Sequence, residues 1–286
     1  MISRLAFLGT PDVAVVALQA LAAADHDIAL VVTQPDRRRG RGSATSPSPV
    51  KAAAVELGLS VSHRVDDVRA AGAELGVVVA FGRIIKPDVL AELGMVNIHF
   101  SLLPRWRGAA PVERAILAGD AETGVCLMAV EEGLDTGGVY RQVTTPIGPH
   151  ETATDLRTRL GQIGAELLVE ALDTGLGEPE PQAGVATHAA KITSAELELL
   201  WTEPNEALHR IVRVGPAWTT FRGDRLQVLD ARPTAEGPEP GELEGNVVGC
   251  GAGGLELRTV KPAGKGAMDS VAWLNGARPG PGERLG

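Results

Sequence analysis

The chain has 286 residues, 44% of them hydrophobic, 22% charged and 3% aromatic, with a net charge of −9 and two cysteines. That length suits one large or two medium domains, able to bury enough surface to fold without disulfides or metal. Cys126 and Cys250 stand far apart with no CxxC or Cys/His cluster, the acidity argues against nucleic acid bound over the whole surface, and no run approaches eighteen apolar residues. The chain reads as a cytoplasmic, reduced, soluble protein whose first residues enter a strand rather than a signal peptide. Scarce aromatics weaken any stacking platform, so a polyanion would need a local basic patch.

Residues 4–36 read as a βαβ unit. Leu5 to Leu8 is a short apolar run, Gly9-Thr10 the turn, Pro11 a first-turn residue, Val13 to Ala24 a helix, and Ile28 to Thr33 a second buried strand. Further buried-strand runs follow at Val77 to Phe81, Met95 to His99 and Val125 to Val130, with a short helix over Pro111 to Ala118. Leu156, Leu160, Ile163 and Leu167 space out an amphipathic helix that ends near Gly175. This alternation predicts an α/β fold, a Rossmann-like, mostly parallel sheet over 1–177. Residues 178–192, opening Glu178-Pro-Glu-Pro, have linker composition. Beyond them helix signals become sparse, and short runs at Ala217 to Phe221, Arg225 to Leu229, Asn246 to Val248 and Leu255 to Val260 predict a smaller β-rich domain over 193–286, a barrel or sandwich.

Several common motifs are missing. Gly9-Thr-Pro is not GxGxxG, Ala263-Gly-Lys-Gly266 is not a Walker A loop, and Gly249 to Gly254 precedes a strand and reads as a hairpin turn. No GxSxG or HExxH occurs.

The informative segment runs from Gly94 to Pro111. Asn97 and His99, at i and i+2 near the end of a buried strand, point to one face, and in open α/β sheets the ligand crevice lies at the strands' carboxyl ends. The pair is equally compatible with a satisfied strand-end histidine and a loop-bonding asparagine. Asp135, in the glycine-rich loop after the strand ending at Val130, is expected at the same sheet edge and adds a third polar group. Asn, His and Asp together suit attack of an amine on a carbonyl: Asn donates to the developing oxyanion, His manages a proton, and a nearby carboxylate raises its pKa. With no Ser or Cys nucleophile beside them, direct transfer is expected.

These residues resemble the folate-dependent formyltransferases, whose signature joins Asn-x-His, a Ser-Leu-Leu-Pro loop and a later Leu-Asp-x-Gly loop. The matching stretches are Phe7 to Asp12, Val32 to Asp36, Gly40-Arg-Gly42, Pro47 to Lys51, Ser101 to Pro111, Ala118 to Gly124, Gly133 to Gly137 and Val260 to Lys265, so the likeness spans nearly the whole chain. It implies a catalytic domain followed by a small OB-like barrel, and transfer of a formyl group from 10-formyltetrahydrofolate to the α-amine of initiator methionyl-tRNA, with no metal and no membrane, in a cytoplasmic monomer. Asn97, His99 (as imidazolium) and Asp135 take the catalytic positions. Ser101, Leu102, Leu103 and Pro104 match the folate-binding loop, and Arg83, Ile84 and Ile85 align with the pterin pocket wall. Arg37, Arg38, Arg39 and Arg41 match a loop that enters the tRNA acceptor stem, although four arginines in five positions are also what a solvated surface run looks like. Lys261 and Lys265 match phosphate contacts of the second domain. Trp106 and Arg107 suit loop packing or acceptor-end contacts. His26, His63, His150, His188 and His209 lie outside any motif and are expected at the surface. Rivals are formylation of a small amine, such as glycinamide ribonucleotide or an amino sugar, and a non-catalytic tRNA-binding protein. Departures from the family pattern fall at Arg64 to Leu75, at Leu200 before Trp201, and at Val214 to Trp218.

Overall fold

The apolar runs of the N-terminal half become the strands of one sheet. In a computed structural model describing residues 4–38 and 45–286, the chain divides into two units. The first comprises Met1–Val112, Ala121–Pro146 and Asp155–Ala190, and the second comprises Glu113–Asp120, Ile147–Thr154 and Lys191–Gly286.

In the first unit β1 (Arg4–Gly9) leads through α1 (Asp12–Ala23) to β2 (Asp27–Val32). The two-residue strands β3 (Arg37–Arg38) and β4 (Thr45–Ser46) pair with each other, and α2 (Pro49–Glu56) and β5 (Val61–Ser62) follow. Then come β6 (Leu75–Val79), α3 (Pro87–Glu92), β7 (Met95–His99), the short β8 (Arg107–Gly108), α4 (Pro111–Ala118), which from Glu113 is counted with the second unit, β9 (Glu122–Ala129), β10 (Val139–Pro146), α5 (Ala153–Thr174) and the short β11 (His188–Ala189). The main sheet runs β10-β9-β7-β6-β1-β2-β5. Its β5, β2, β1, β6 and β7 are mutually parallel, whereas β9 pairs antiparallel with both β7 and β10. The chain builds outward from β1 to β2 and β5, then crosses to β6 and β7. The reversal between β1 and β6 opens a crevice beyond the strands' carboxyl ends. Burial of every β6 residue is the mark of a strand covered on both faces. Helix α5 lies close to the sheet because it offers glycine where it meets it: a Cβ on Gly164 would stand 2.7 Å from Ile98 Cγ2.

The stretch read as a linker is largely strapped to this unit. Glu180 forms an antiparallel bridge with Val139, and β11 pairs in parallel with β8. Its composition hides this because many of the attachments are made by backbone groups.

The C-terminal stretch of the second unit carries α6 (Asn205–Val214), then β12 (Ala217–Phe221), β13 (Asp224–Thr234), β14 (Leu243–Glu244), β15 (Val247–Gly249), β16 (Gly254–Pro262), β17 (Met268–Asp269) and α7 (Ser270–Ala277). The sheet order is β12-β13-β16-β15-β14, and Gly249 to Gly254 makes the expected hairpin turn. Residues 283–286 join the two edge strands. Gly286 N–H donates to Thr220 O at 3.0 Å and Leu243 N–H to Glu283 O at 2.9 Å, which closes the sheet into a small barrel. Trp201, Leu208, Val228, Leu255, Leu257 and Trp273 fill it. Helix α6 was hidden in the sequence, since its buried face is only Leu208, His209 and Val212. His209 is thus a core residue at 2% exposure, not the surface residue expected, because it falls one position after Leu208 on that face. Among the described residues no helix is long and apolar enough to cross a membrane.

Candidate active site

The alternation of β7 sends Asn97 and His99 to one face. Asn97 is half-buried, and among the described residues its amide makes no side-chain hydrogen bond within the protein. His99, 5% exposed, is held from both sides. Its Nε2 lies 2.9 Å from Trp106 O. A carbonyl only accepts, so this contact fixes the ring proton on Nε2. Its Nδ1 lies 3.5 Å from Asp135 Oδ2, too long for a good hydrogen bond, which leaves that nitrogen free to gain and lose a proton. Burial holds the His99 pKa below its ordinary value, although the Asp135 carboxylate and the Trp106 carbonyl both push it up. Asp135 therefore acts in the expected direction, and desolvation by burial opposes it.

Asp135 reaches His99 by a route the sequence does not reveal. Strand β9 runs antiparallel to β7, pairing Val96 with Ala129 and His99 with Cys126. The loop after β9 therefore starts at the end of β7 opposite His99, not at the same edge, and must run back along the sheet. Asp135 adopts the left-handed conformation (φ +53°), as does Trp106 (φ +63°) in the facing loop. Left-handed backbone costs a non-glycine residue about 1–2 kcal/mol, so other contacts must impose it. Gly108 N–H donates to Asp135 Oδ2 at 2.8 Å. Gly108 itself sits at φ +128°, and a Cβ there would stand 2.8 Å from Ala189 O. Cys126, in register with His99, is no nucleophile, since burial pushes its thiol up to about 11 and keeps it protonated.

Comparison with known proteins decides the kinship. The formyl transferase family model matches residues 3–172, and the model of the formyl transferase C-terminal domain matches 191–278. The chain belongs to the formyl transferase family. A methionyl-tRNA formyltransferase of Dinoroseobacter shibae is 46% identical, over 96% of this chain and 97% of that protein. The formyl transferase also shares its fold with more distant solved structures. A methionyl-tRNA formyltransferase from Clostridium thermocellum has TM-score 0.62 and 17% identity, covering 81% of this chain and 93% of that one. The HypX protein of Aquifex aeolicus, in complex with tetrahydrofolic acid, has TM-score 0.69 and 16% identity, covering 98% of this chain and 48% of that one.

The other residues singled out in the formyl transferase sequence fall in several places. Ser101 is fully buried and its hydroxyl donates to Arg105 O at 2.6 Å, so it shapes the loop from within. Leu103 is buried and donates its N–H to Cys126 Sγ at 3.4 Å, whereas Leu102 and Pro104 are half-buried. Arg83 is exposed and donates to His63 O at 2.9 Å, Ile84 is 90% exposed, and Ile85 is packed into the core around β1 and β6. Arg37 is exposed in β3 beside Arg38, while Arg39 and Arg41 lie outside the described residues. Lys261, near the end of β16, and Lys265, just beyond it, are both exposed. Sequence reasoning missed Leu134, 71% exposed next to Asp135, and Gln182, whose amide touches the Asp135 loop.

Proposed function

We propose that this formyl transferase moves the formyl group of 10-formyltetrahydrofolate onto the α-amine of initiator methionyl-tRNA. Convergence of Asn97, His99 and Asp135 around β7 carries the reading, and the full-length likeness to a methionyl-tRNA formyltransferase supports it. The uncharged amine attacks the formyl carbon to give a tetrahedral oxyanion, to which the Asn97 amide N–H donates. Neutral His99 takes the proton shed by the attacking nitrogen on Nδ1, beside Asp135, whose charge stabilises the imidazolium as it forms. That proton passes to the folate nitrogen as its bond to the formyl carbon breaks, restoring the neutral ring. The ring must be uncharged to take the proton, and burial, which disfavours the charged form, supports that role.

Two strongly exposed apolar side chains, Ile84 and Leu134, supply surface that a flat pterin ring would cover; such rings stack on apolar walls. Leu102, Leu103 and Pro104 would flank it, with Ser101 setting the loop's shape and Arg83 and Ile85 supporting the wall. The chemistry belongs to residues 1–177 with the strap that follows. In residues 193–286, Lys261 and Lys265 would hold tRNA phosphates, and Arg37, Arg38, Arg39 and Arg41 would reach the acceptor stem, a local basic set on an acidic protein. The enzyme would work as a monomer in the cytoplasm, where charged tRNA is made. Incubation with 10-formyltetrahydrofolate and either methionyl-tRNA or glycinamide ribonucleotide tests the reading. Formyl-methionyl-tRNA is the expected product, and formylation of the small amine alone would overturn it.

A further inference from the structure

We infer that Gln182 is a positioning residue that locks the two catalytic loops together and sets Asp135 against His99. The inference rests on the function proposed above and adds a residue to it. Gln182 Nε2 donates to Asp135 O at 2.9 Å and to Gly137 O at 2.7 Å. Its Oε1 accepts from Arg107 Nε at 3.0 Å and Nη2 at 2.6 Å. One side chain thus spends both donors on the loop that carries Asp135 and its acceptor on the loop that carries Trp106, the partner of His99. The two-pronged guanidinium contact fixes the amide plane and so the direction of both N–H bonds.

The segment carrying Gln182 is itself anchored on both sides. Glu180 and Val139 exchange backbone hydrogen bonds of 2.9 and 2.8 Å. Further along, Thr187 Oγ1 accepts from Trp106 N–H at 2.9 Å, Thr187 N–H donates to Pro104 O at 3.2 Å, and Thr187 O accepts from Arg107 N–H at 2.9 Å. The strap therefore holds the Trp106 loop directly, and through the Gln182 side chain it reaches the carbonyls of Asp135 and Gly137. Asp135 sits in left-handed backbone (φ +53°), a region aspartate tolerates better than most residues, and the two Gln182 donors hold the peptide in that setting. The 3.5 Å gap to His99 Nδ1 is then set from two directions: Gly108 N–H holds the carboxylate, and Gln182 holds the peptide behind it. A loop displaced by an ångström costs a reaction of this kind about 10²-fold.

Gln182→Glu is the decisive variant. It keeps the size of the side chain and an acceptor for Arg107, but replaces the nitrogen that carries both donors with an oxygen that faces two carbonyls. Expected is a fall in kcat of about 10²-fold, with KM for both substrates little changed and thermal unfolding close to the parent's. In an Asp135→Asn background the same change should cost nothing further, since a residue that acts through Asp135 has nothing left to position. Independent, multiplicative losses would overturn the inference, as would parental kcat in the single variant. A substrate-free readout separates this failure from failure of the functional reading. In Gln182→Met, which displaces the carboxylate that raises the His99 pKa, the imidazole titration followed by NMR should shift downward, as in Asp135→Asn. An unmoved titration sinks the inference whichever amine the enzyme formylates.

Discussion

His99 and Asp135 face each other across 3.5 Å, close enough for charge to be felt and too far for a settled hydrogen bond. Each is already committed elsewhere, the ring through Nε2 to Trp106 O and the carboxylate through Oδ2 to Gly108 N–H. The ring nitrogen that faces the carboxylate, Nδ1, is the one not held by Trp106 O. In the mechanism proposed above the imidazole is the base, and the carboxylate compensates the charge it acquires while the reaction runs.

Asp135→Asn removes that compensation. Turnover should fall about 10²–10⁴-fold while folate binding holds. The acid limb of the kcat profile should also move. Asp135 raises the His99 pKa against burial, so its loss lowers that pKa further and shifts the limb to lower pH. A limb that stays in place, or near-normal turnover, would remove Asp135 from proton handling.

Asn97 and His99 are proposed to act in one step, the amide on the oxyanion and the ring on the proton of the attacking nitrogen, so their losses should not add. The double variant Asn97→Ala/His99→Ala should be about as slow as the slower single variant. Rates that multiply would assign the two residues to separate steps.

The site was legible in part, and what was hidden has physical causes. Asn97 and His99 stood out because an otherwise apolar strand carries polar groups only for a reason. The direction of β9 was not legible, because a buried strand reads the same whichever way it runs, and so the path that brings Asp135 to His99 was missed. Strand β10 was overlooked because it is an edge strand, half in solvent and carrying Arg141, Gln142 and Thr144. Gln182 sits in a Pro/Glu-rich stretch, and nothing local distinguishes a glutamine that bonds two distant carbonyls from one that bonds water. His209 was misplaced for a related reason. Histidine has no fixed preference, and burial was decided by the helix face it shares with Leu208 and Val212.

His209 gives the second unit a pH dependence of its own. Burial first, then the charges of Arg213, His150 and Arg232, bring its pKa down to about 4, with Asp230 opposing. His150 makes an edge contact with it at 5.2 Å. The folded pKa lies below the unfolded value of about 6.5, so the unfolded chain binds the proton first as pH falls. Stability should therefore decline from about pH 6.5 towards pH 4. In His209→Leu the unfolding temperature should fall less across that interval than in the parent. Parallel curves would show that the decline comes from other groups.

The basic residues proposed for tRNA separate from the chemistry by their salt dependence. Arg37, Lys261 and Lys265 are exposed side chains on a protein of net charge −9, so any phosphate they hold must be held locally. Removing one cation that neutralises a phosphate lowers the slope of log K against log salt by about 0.7–0.9, because one fewer counterion is released on binding. Arg37→Ala, Arg41→Ala and Lys261→Ala should each flatten the slope of methionyl-tRNA binding by about that amount and raise KM for the tRNA, with kcat and folate binding unchanged. Lys265→Ala combined with Lys261→Ala should reduce the slope by about twice as much as either alone. A variant that binds tRNA with the parental slope has replaced a side chain that is surface charge and nothing more. A lowered kcat with an unchanged slope would instead tie that residue to the formyl-transfer step.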